Sequence, residues 1–455
     1  MPKLLDQIQY FSKIAPNRNA LCFGAECVTY KQLNDEIKRL EIQLAQIPKR
    51  CFVGIVVQQP RMTMVLYLAL LNSGCVPCVI DVRWSQKQID QIVAQYGIPY
   101  LINDELEVTS THAVQHKLEW HHDLLHIGFT SGTTGLPKAY YRGEHSWIIS
   151  YEMTEALMEE KVDTLVAPGP LSHSLSLFVC VFALYSGRSF IGQEQFDGRL
   201  LLETIHQEPQ ENTSALFVVP TMLVSCFVSH QVTRQLRYVF TTGDKLSDSV
   251  REQVQLHFPS ALLIEFFGTS EASFISYNYN NEAPAASVGK PFSNVEIQLN
   301  QPDSQGIGQL NIRSNMTFSG YVLNQYKEVD WINVGDFASI DQHGYLYLHG
   351  RQHDRMIIGG RNVYPSEIER VAQIYPEIDE VVVLSEPHSK FGEIAVLLYV
   401  GETNISKKEI KSFLSNHLAK YQIPSKIIKI QQMSYTQSGK IARSTMKKRY
   451  LKGEF

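Results

Sequence analysis

Residues 126–142 read HIGFTSGTTGLPKAYYR, and this stretch decides how the rest of the chain is understood. An apolar run from Leu124 to Phe129 has the composition of a buried strand and leads directly into a loop rich in glycines and hydroxyl groups. Glycines let several backbone N–H groups converge on one point, and the hydroxyls and Lys138 add donors and a positive charge around it. The stretch therefore predicts a strand that ends in a phosphate-binding loop. It is not a Walker loop, because Pro137 precedes the lysine and the Gly-Lys-Ser/Thr ending is missing.

Apolar strand-like runs alternate with helical patterns on both sides of this loop. They are CFVGIVV (51–57), VPCVI (76–80), TLVAP (164–168), ALFVVP (215–220), RYVFTT (237–242) and ALLIEFF (261–267). Strands separated by helices at such spacing are typical of parallel α/β sheets. The pattern therefore predicts an α/β fold whose large N-terminal domain is built from parallel sheets.

The hydrophobic pattern of the sequence changes twice in the second half of the chain. Around Glu296 the sequence turns to short alternating segments with Gly and Asp between them, which predicts a small antiparallel, barrel-like β part that closes the large domain. Further on, a helix start at Pro365, the strands EVVVLSE and EIAVLLYV and the amphipathic helix KKEIKSFLSNHL predict a small α+β domain. We therefore predict an N-terminal domain over residues 1–352 and a mobile C-terminal domain over 353–455.

Composition excludes several classes of protein. The 455 residues carry 41 Lys and Arg against 46 Asp and Glu, a formal charge of −5, so no nucleic-acid partner is expected. Seven scattered cysteines predict thiols in a reducing cytoplasm, with Cys75 and Cys78 buried in a strand rather than in a zinc or redox site. No signal peptide is evident and the most apolar stretches are short or broken, so we expect a cytoplasmic location and no transmembrane segment.

A wider pattern joins the phosphate loop to motifs further along the chain. TSGTTGLPK (130–138) resembles the signature loop of the adenylate-forming superfamily, which includes acyl-CoA synthetases, nonribosomal peptide adenylation domains and luciferases. FFGTSEAS (266–273), VGD (334–336) and SYTQSGKIAR (434–443) resemble further motifs of that family and follow in its order. The chain is most similar to a bacterial acyl-CoA ligase. Its short length and early phosphate loop also resemble o-succinylbenzoate–CoA ligases.

The resemblance implies an ATP site, residue by residue. Its members are Thr130, Ser131, Gly132, Thr133, Thr134, Gly135, Lys138, Gly243, Asp244, Lys245, Phe267, Ser270, Asp336, Arg351 and Lys440. By the same resemblance Phe267 stacks on adenine and Asp336 accepts from both ribose hydroxyls. The family usually has Gly-Ala-Pro or Gly-Glu-Ala where this chain has Gly-Asp-Lys at 243–245.

Catalysis is implied at four positions. Ser270 donates to the α-phosphate, Glu271 holds Mg²⁺ together with Thr130, His173 lies at the acid pocket, and Lys440 bridges the substrate carboxylate and the α-phosphate.

The resemblance also implies a moving C-terminal domain. Gly359 and Gly360 would line a channel for the pantetheine arm of CoA, and His353 would lie at the hinge, where the family has Asp or Lys. A histidine there allows either a pH-sensitive hinge or an ordinary exposed loop residue.

Together the motifs predict a two-step reaction. A carboxylate attacks the α-phosphorus of ATP and expels pyrophosphate, and a thiolate then attacks the acyl carbon and releases AMP. This predicts a fatty or aryl acid–CoA ligase of fatty acid metabolism that uses Mg²⁺, ATP and CoA. Three alternatives stay open: an enzyme that loads a carrier-protein pantetheine, an inactive nucleotide-binding regulator, and a luciferase-like oxygenase.

The acid is predicted to have an apolar tail, because apolar side chains surround the acid-pocket motifs at Leu175, Leu177, Phe178, Val218 and Val219. No acidic residue lies between Asp163 and Glu194, which disfavours an α-amino acid. Gly268, where acetate-using relatives carry tryptophan, predicts a pocket that is open beyond two carbons.

Overall fold

The computed structural model describes residues 2–114, 121–130, 136–324, 330–435 and 441–455. By its internal contacts the chain divides into two compact units. Unit 1 comprises Met1–Glu296 and Ile312–Ile332, and unit 2 comprises Ile297–Asn311 and Asn333–Phe455.

The helices of the described residues are α1 (Lys3–Ile14), α2 (Tyr30–Leu44), α3 (Pro60–Asn72), α4 (Gln86–Tyr96), α5 (Glu144–Glu155), α6 (Ser174–Ser186), α7 (Gly198–Gln207), α8 (Pro220–Phe227), α9 (Asp248–His257), α10 (Pro365–Ala372), α11 (Lys407–Ser415) and α12 (Arg443–Leu451). A short 3-10 turn covers Lys420–Gln422.

The strands are β1 (Asn19–Phe23), β2 (Glu26–Thr29), β3 (Phe52–Ile55), β4 (Val76–Val79), β5 (Tyr100–Ile102), β6 (Val108–Ser110), β7 (Leu124–Thr130), β8 (Lys138–Gly143), β9 (Thr164–Val166), β10 (Ser189–Gly192), β11 (Ser214–Val218), β12 (Leu236–Thr241), β13 (Leu262–Thr269), β14 (Ser273–Tyr279), β15 (Lys290–Pro291), β16 (Val295–Asn300), β17 (Gly308–Ser314), β18 (Ile332–Ile340), β19 (Leu346–Arg351), β20 (Met356–Ile358), β21 (Arg361–Val363), β22 (Glu380–His388), β23 (Gly392–Val400) and β24 (Lys426–Lys429).

Unit 1 contains two sheets. The six-stranded sheet has the order β6-β5-β3-β4-β7-β8, and the nine-stranded sheet has the order β15-β14-β13-β12-β11-β9-β10-β1-β2. Among the described strands the interior pairs are parallel in both sheets, and the antiparallel pairs lie towards the edges. This confirms the predicted parallel α/β architecture. The apolar runs that predicted it form the strands β3, β4, β9, β11, β12 and β13.

Burial explains why those runs carry so little polarity. A strand covered on both faces needs apolar side chains on both, and β3, β4, β9 and β11 are buried along their whole length. Helix α3 between β3 and β4 is buried from Thr63 to Leu71, which explains why it reads as one continuous apolar stretch.

Unit 2 contains the predicted small α+β part. Strands β22 and β23 pair antiparallel over their full length, β24 runs parallel to β23, and α10 begins at Pro365 as predicted. Strands β16 to β19 form a separate four-stranded sheet, of which β18 and β19 are an antiparallel pair.

The four-stranded sheet packs against the C-terminal segment through an apolar cluster and a hydrogen bond. Ile307 and Phe337 form an apolar cluster with Tyr364, and Ser366 Oγ donates a hydrogen bond to the His349 carbonyl at 2.6 Å. The boundary at 352/353, where the hinge is predicted, stays a prediction.

Two of the cysteines do not follow the expectation that all seven are thiols. In the β1–β2 hairpin Cys22 lies directly opposite Cys27, and the two sulfurs form a disulfide. Cys75 and Cys78 are buried thiols in and beside β4, as predicted, and burial raises the pKa of Cys75 to about 11. Sequence spacing could not reveal the pair, because it depends on the register of the hairpin.

The helices of the described residues include none with the length and apolarity that a bilayer crossing requires.

The cysteine pairing can be counted directly. Protein purified without reductant and then denatured should show five thiols that react with a thiol reagent, and seven after reduction. Cys22→Ser should leave six cysteines, seven less the one replaced, all reactive without reduction. Seven reactive thiols in the unreduced wild type would contradict the pairing.

Candidate active site

The phosphate loop is carried by the hairpin of β7 and β8. Thr130 and Lys138 are the last antiparallel pair, so the hairpin opens into residues 131–137. Tyr96 of α4 holds the far side of the loop by donating to the Pro137 carbonyl at 2.7 Å. The predicted contacts Ser131, Gly132, Thr133, Thr134 and Gly135 lie outside the described residues.

The outer edge of β8 is paired by a segment from far along the chain. The Tyr141 N–H donates to the Gly320 carbonyl at 2.9 Å, and the Val322 N–H donates to the Ala139 carbonyl at 2.9 Å. Residues 319–322 therefore run beside β8 and bring a loop from 180 residues away to the base of the phosphate loop.

The turn between β13 and β14 carries Ser270 and Glu271, as the motif predicts. Tyr321 donates its hydroxyl hydrogen bond to Glu271 Oε1 at 2.9 Å, and the Phe318 N–H donates to the Glu271 carbonyl at 2.7 Å. The Arg142 guanidinium donates to the Ser270 carbonyl. Burial, and then the charge of Glu271, raise the pKa of Tyr321, so Tyr321 stays a protonated donor.

Glu271 is suited to a magnesium ion. Its carboxylate supplies hard oxygen ligands, and Tyr321 engages only one of the two oxygens. Within the described residues no group of three or more His, Cys, Asp or Glu is arranged as a protein-only metal site. Magnesium here would therefore depend on oxygen ligands from a bound nucleotide as well.

The backbone around position 268 explains why a glycine stands there. The β13–β14 register shifts between Phe267 and Gly268, and a Cβ on Gly268 would lie 2.0 Å from the Ser273 carbonyl oxygen. The missing side chain at this position therefore follows from the tight hairpin, and it gives no support to the prediction of an open acid pocket.

The predicted adenine segment follows β12. Thr241, the last residue of β12, pairs with Glu265 of β13, so the turn that leaves the carboxyl end of β12 at 242–245 starts beside residues 266–267 of β13. Buried Glu265 accepts from the Leu246 N–H at 2.9 Å. This pins the turn that contains Gly243 and Asp244, both of which are exposed.

Lys245 is engaged within this turn. Its ammonium lies 3.3 Å from Glu265 and donates to the Ser287 carbonyl, while Arg251 also contacts Glu265. These contacts give Lys245 a structural role, and its contact with adenine stays a prediction.

His173 meets two residues that sequence reasoning missed. It occupies the position just before α6, and Arg83 donates to its Nε2 at 2.9 Å. Arg83 also donates to both oxygens of buried Asp81, at 2.8 and 2.5 Å. Since arginine can only donate, Nε2 of His173 is an acceptor, and the neutral ring carries its proton on Nδ1.

The charges around His173 explain its protonation state. Burial, and then the positive charge of Arg83, lower the pKa of His173 against a smaller opposing effect of Asp81. Burial by itself would raise the pKa of Asp81, but the hydrogen bonds from Arg83 outweigh it and the pKa is lowered. His173 is therefore neutral near pH 7, beside a carboxylate that Arg83 already neutralises.

Asp336 and Arg351 lie in unit 2, where they are a register pair of β18 and β19. Arg351 Nε lies 3.1 Å from Asp336 Oδ1, and its Nη1 donates to the Val334 carbonyl at 3.2 Å. Asp336 is buried and Arg351 is half exposed. The two predicted ribose contacts are thus brought together.

The remaining predicted residues of unit 2 that the structure describes lie in turns. Gly359 and Gly360 form the two-residue turn between β20 and β21, with φ values of 58° and 77° that favour glycine. His353 is exposed in the turn after β19. Lys440 lies outside the described residues, but its loop begins and ends at an antiparallel bridge between Tyr435 and Ile441.

Two family models match the chain: AMP-binding enzyme over residues 104–322, and AMP-binding enzyme C-terminal domain over residues 367–440. A Staphylococcus epidermidis protein named "Putative long chain fatty acid-CoA ligase VraA" is 43% identical over 455 residues, covering 100% of both chains. The chain belongs to the AMP-binding enzyme family.

The fold is similar to that of solved structures. The o-succinylbenzoate CoA synthetase of Bacillus subtilis in complex with the acyl-adenylate OSB-AMP matches with a TM-score of 0.85 and 22% identity, covering 98% of each chain. The same enzyme with ATP and a magnesium ion matches with a TM-score of 0.84 and 22% identity, covering 98% of this chain and 99% of that one. The predicted family, the fold and the enzyme class, an AMP-forming acid–thiol ligase, are confirmed.

Arg83 offers a test of the charges around His173. Arg83→Met should raise the pKa of His173, because the neighbouring cation is lost while the Asp81 carboxylate, 3.8 Å from Nε2, remains. A raised pKa means that His173 is protonated at a higher pH than in the wild type. The acidic limb of the activity profile should shift to higher pH accordingly, and NMR titration of the imidazole would measure the pKa itself.

Arg61→Met is the matched control, since Arg61 pairs with Glu36 on α2 in the same unit. It should leave the His173 titration in place. An unshifted His173 titration in Arg83→Met would refute the assigned contact.

Proposed function

We propose that this AMP-binding enzyme ligates a carboxylic acid with an apolar tail, a fatty or aryl acid, to CoA. The observation that carries the proposal is the convergence of the Ser270–Glu271 turn, Tyr321 and Lys138 at the base of the phosphate loop. Phosphoryl chemistry depends mostly on positioning and on charge, and these groups provide both.

In the first step the substrate carboxylate attacks the α-phosphorus of ATP. The oxygen–phosphorus bond to pyrophosphate breaks as the bond to the carboxylate oxygen forms, giving acyl-AMP. Ser270 and Lys138 would donate to the phosphate oxygens, and Lys440 would bridge the two reacting groups. Magnesium, held by Glu271 and Thr130, would neutralise charge on the triphosphate when it is bound.

In the second step a thiolate attacks the acyl carbon, and the carbon–oxygen bond to AMP breaks. Gly359 and Gly360 would accommodate the pantetheine arm, and rotation at His353 would exchange the groups that face the acyl-AMP. No described side chain is required as a covalent nucleophile in either step.

The choice of acid rests on charge and on the relatives. The Asp81 carboxylate beside His173 is neutralised by two hydrogen bonds from Arg83, so it is not free to pair with a substrate ammonium. This supports an acid without an α-amino group. A full-length relative with 43% identity that is named for long-chain fatty acids supports an aliphatic acid.

A panel of acids tests the proposal. The purified chain with ATP and Mg²⁺ should release pyrophosphate with fatty or aryl acids and not with amino acids, and CoA should stimulate AMP release and give acyl-CoA by mass spectrometry. Acid-dependent pyrophosphate without any response to CoA, together with acylation of a pantetheinylated carrier protein, would favour the carrier-loading alternative. Nucleotide binding without turnover on any acid would favour the inactive regulator.

Glu271→Gln tests the magnesium assignment. The amide keeps the size of the side chain but loses its negative charge, so acyl-AMP formation should fall on the order of a hundred-fold and need more Mg²⁺. Thioester formation from synthetic acyl-AMP should stay near the wild-type rate. Glu282→Gln, an exposed glutamate of the same unit, is the control. An unchanged Mg²⁺ dependence in Glu271→Gln would place the ligand elsewhere.

A further inference from the structure

One face of β8 carries a fully buried arginine, Arg142. Lys138, Tyr140 and Arg142 alternate along this face, and the register places Arg142 opposite His126 of β7. Arg142 is fully buried, with 0% of its surface exposed, and His126 is 1% exposed. Burial, and then the charge of Arg142, lower the pKa of His126, so the guanidinium is the one cation of this pair.

The guanidinium bonds to carbonyl groups rather than to a carboxylate. Its Nη1 donates to the Met316 carbonyl at 2.9 Å and to Ser146 Oγ at 3.3 Å, and its Nη2 donates to the Ser270 carbonyl. Among the residues that the structure describes, no acidic side chain forms an ion pair with it. Glu271 acts on it only as a nearby charge.

These bonds converge on the turn that the reaction needs. The Met316 carbonyl also accepts from Ser273 Oγ, at 2.9 Å, so Arg142 and the end of this turn share one acceptor. On the other side Tyr321 donates to the Glu271 carboxylate at 2.9 Å. The Ser270–Glu271 turn is therefore held from both sides, by Arg142 at its backbone and by Tyr321 at its side chain.

Tyr140 adds to this arrangement. The guanidinium carbon of Arg142 lies 5.6 Å from the centroid of the Tyr140 ring. The hydroxyl lies beside the side chains of Ser174 and Ser270. Tyr140 therefore links the start of α6, where His173 lies, to the turn that Arg142 supports.

We propose that Arg142 is a positioning residue for acyl-AMP formation: it fixes the backbone of Ser270–Glu271, while Tyr321 fixes the carboxylate, so that both groups meet the α-phosphate and its magnesium without rearranging. The proposal rests on the proposed function. Burying a cation without an acidic partner costs free energy, so a role beyond packing is needed to explain Arg142. Its rigid guanidinium can donate to Ser270, Met316 and Ser146 at the same time. Lysine at the same position would keep the charge and lose the fork.

The test uses Arg142→Lys and Arg142→Met in the full chain, with three readouts. Acid-dependent acyl-AMP formation should fall on the order of a hundred-fold in both variants, because a small displacement of catalytic groups costs about that much. The Mg²⁺ concentration for half-maximal rate should rise. Thioester formation from synthetic acyl-AMP should stay within about threefold of the wild type, since that step involves no attack at phosphorus.

Arg188→Met is the matched control, because Arg188 is also mostly buried in unit 1 and bonds to Glu155 and to the Val162 carbonyl. It should lower Tm while leaving both half-reactions unchanged per folded molecule. A merely structural role for Arg142 would lower both half-reactions together with Tm, and would overturn the proposal. Wild-type acyl-AMP formation in Arg142→Lys would overturn it as well.

Tyr321→Phe keeps the proposal testable if neither Arg142 variant folds, since it removes one hydroxyl. It should raise the Mg²⁺ requirement of acyl-AMP formation, and an unchanged requirement would overturn the two-sided grip. Calorimetric titration of the wild type with Mg²⁺ and ATP distinguishes a failure of the proposed function from a failure of the positioning role of Arg142. A wild type that binds no ATP refutes the proposed function, whereas normal ATP binding and turnover with unaffected variants refutes only the role of Arg142.

Discussion

The two edges of β8 determine where the parts of the active site lie. One edge pairs with β7 and opens the phosphate loop, and the other pairs with residues 319–322. A buried N–H or carbonyl left without a partner costs about 1–3 kcal/mol, so a strand with two occupied edges holds both neighbours firmly. Three segments that are distant in sequence, the strand β7 that leads to the phosphate loop, the β13–β14 turn and residues 319–322, consequently meet beside one short strand.

Two arginines, Arg83 beside His173 and Arg142 on β8, show how charge is distributed around the predicted site residues. Arg83 is bound to buried Asp81, so the surroundings of His173 carry little net charge. Arg142 is buried among carbonyl groups and leaves a positive charge behind the Ser270 carbonyl. At 4 Å and an effective dielectric constant of 20, a unit charge pair is worth about 4 kcal/mol, so this difference is large enough to matter. The side that would face an apolar acid is balanced, and the side that would face phosphates is positive.

The fold could be predicted from apolar runs because burial on both faces of a parallel strand leaves a continuous signal, as in VPCVI of β4. The site could be predicted only through its motifs, since Ser270 and Glu271 are ordinary turn residues when taken alone. Arg142 lies in the stretch 126–142, but sequence reasoning missed its role. The alternation of side chains along β8 predicts which face Arg142 is on, but it does not predict that the side chain is fully buried. Asp81 and Cys27 were missed for a related reason: their partners are set by register and by loops that meet in space.

Rotation at the predicted hinge, His353, would break contacts within unit 2, and their free energy sets its cost. Rotation there would separate His349 from Glu367, a pair at 2.9 Å, and would break the bond from Ser366 to the His349 carbonyl. It would also part Phe337 from Tyr364, whose ring centroids lie 5.4 Å apart. Two hydrogen bonds at roughly 1 kcal/mol each and one apolar contact sum to a few kcal/mol. A ligand can shift an equilibrium of that size by binding one state better, whereas an uncompensated break of the whole unit 2 core would be out of reach. If the chain rotates at His353 as predicted, the contacts between the four-stranded sheet and the C-terminal segment are therefore weak enough to be exchanged.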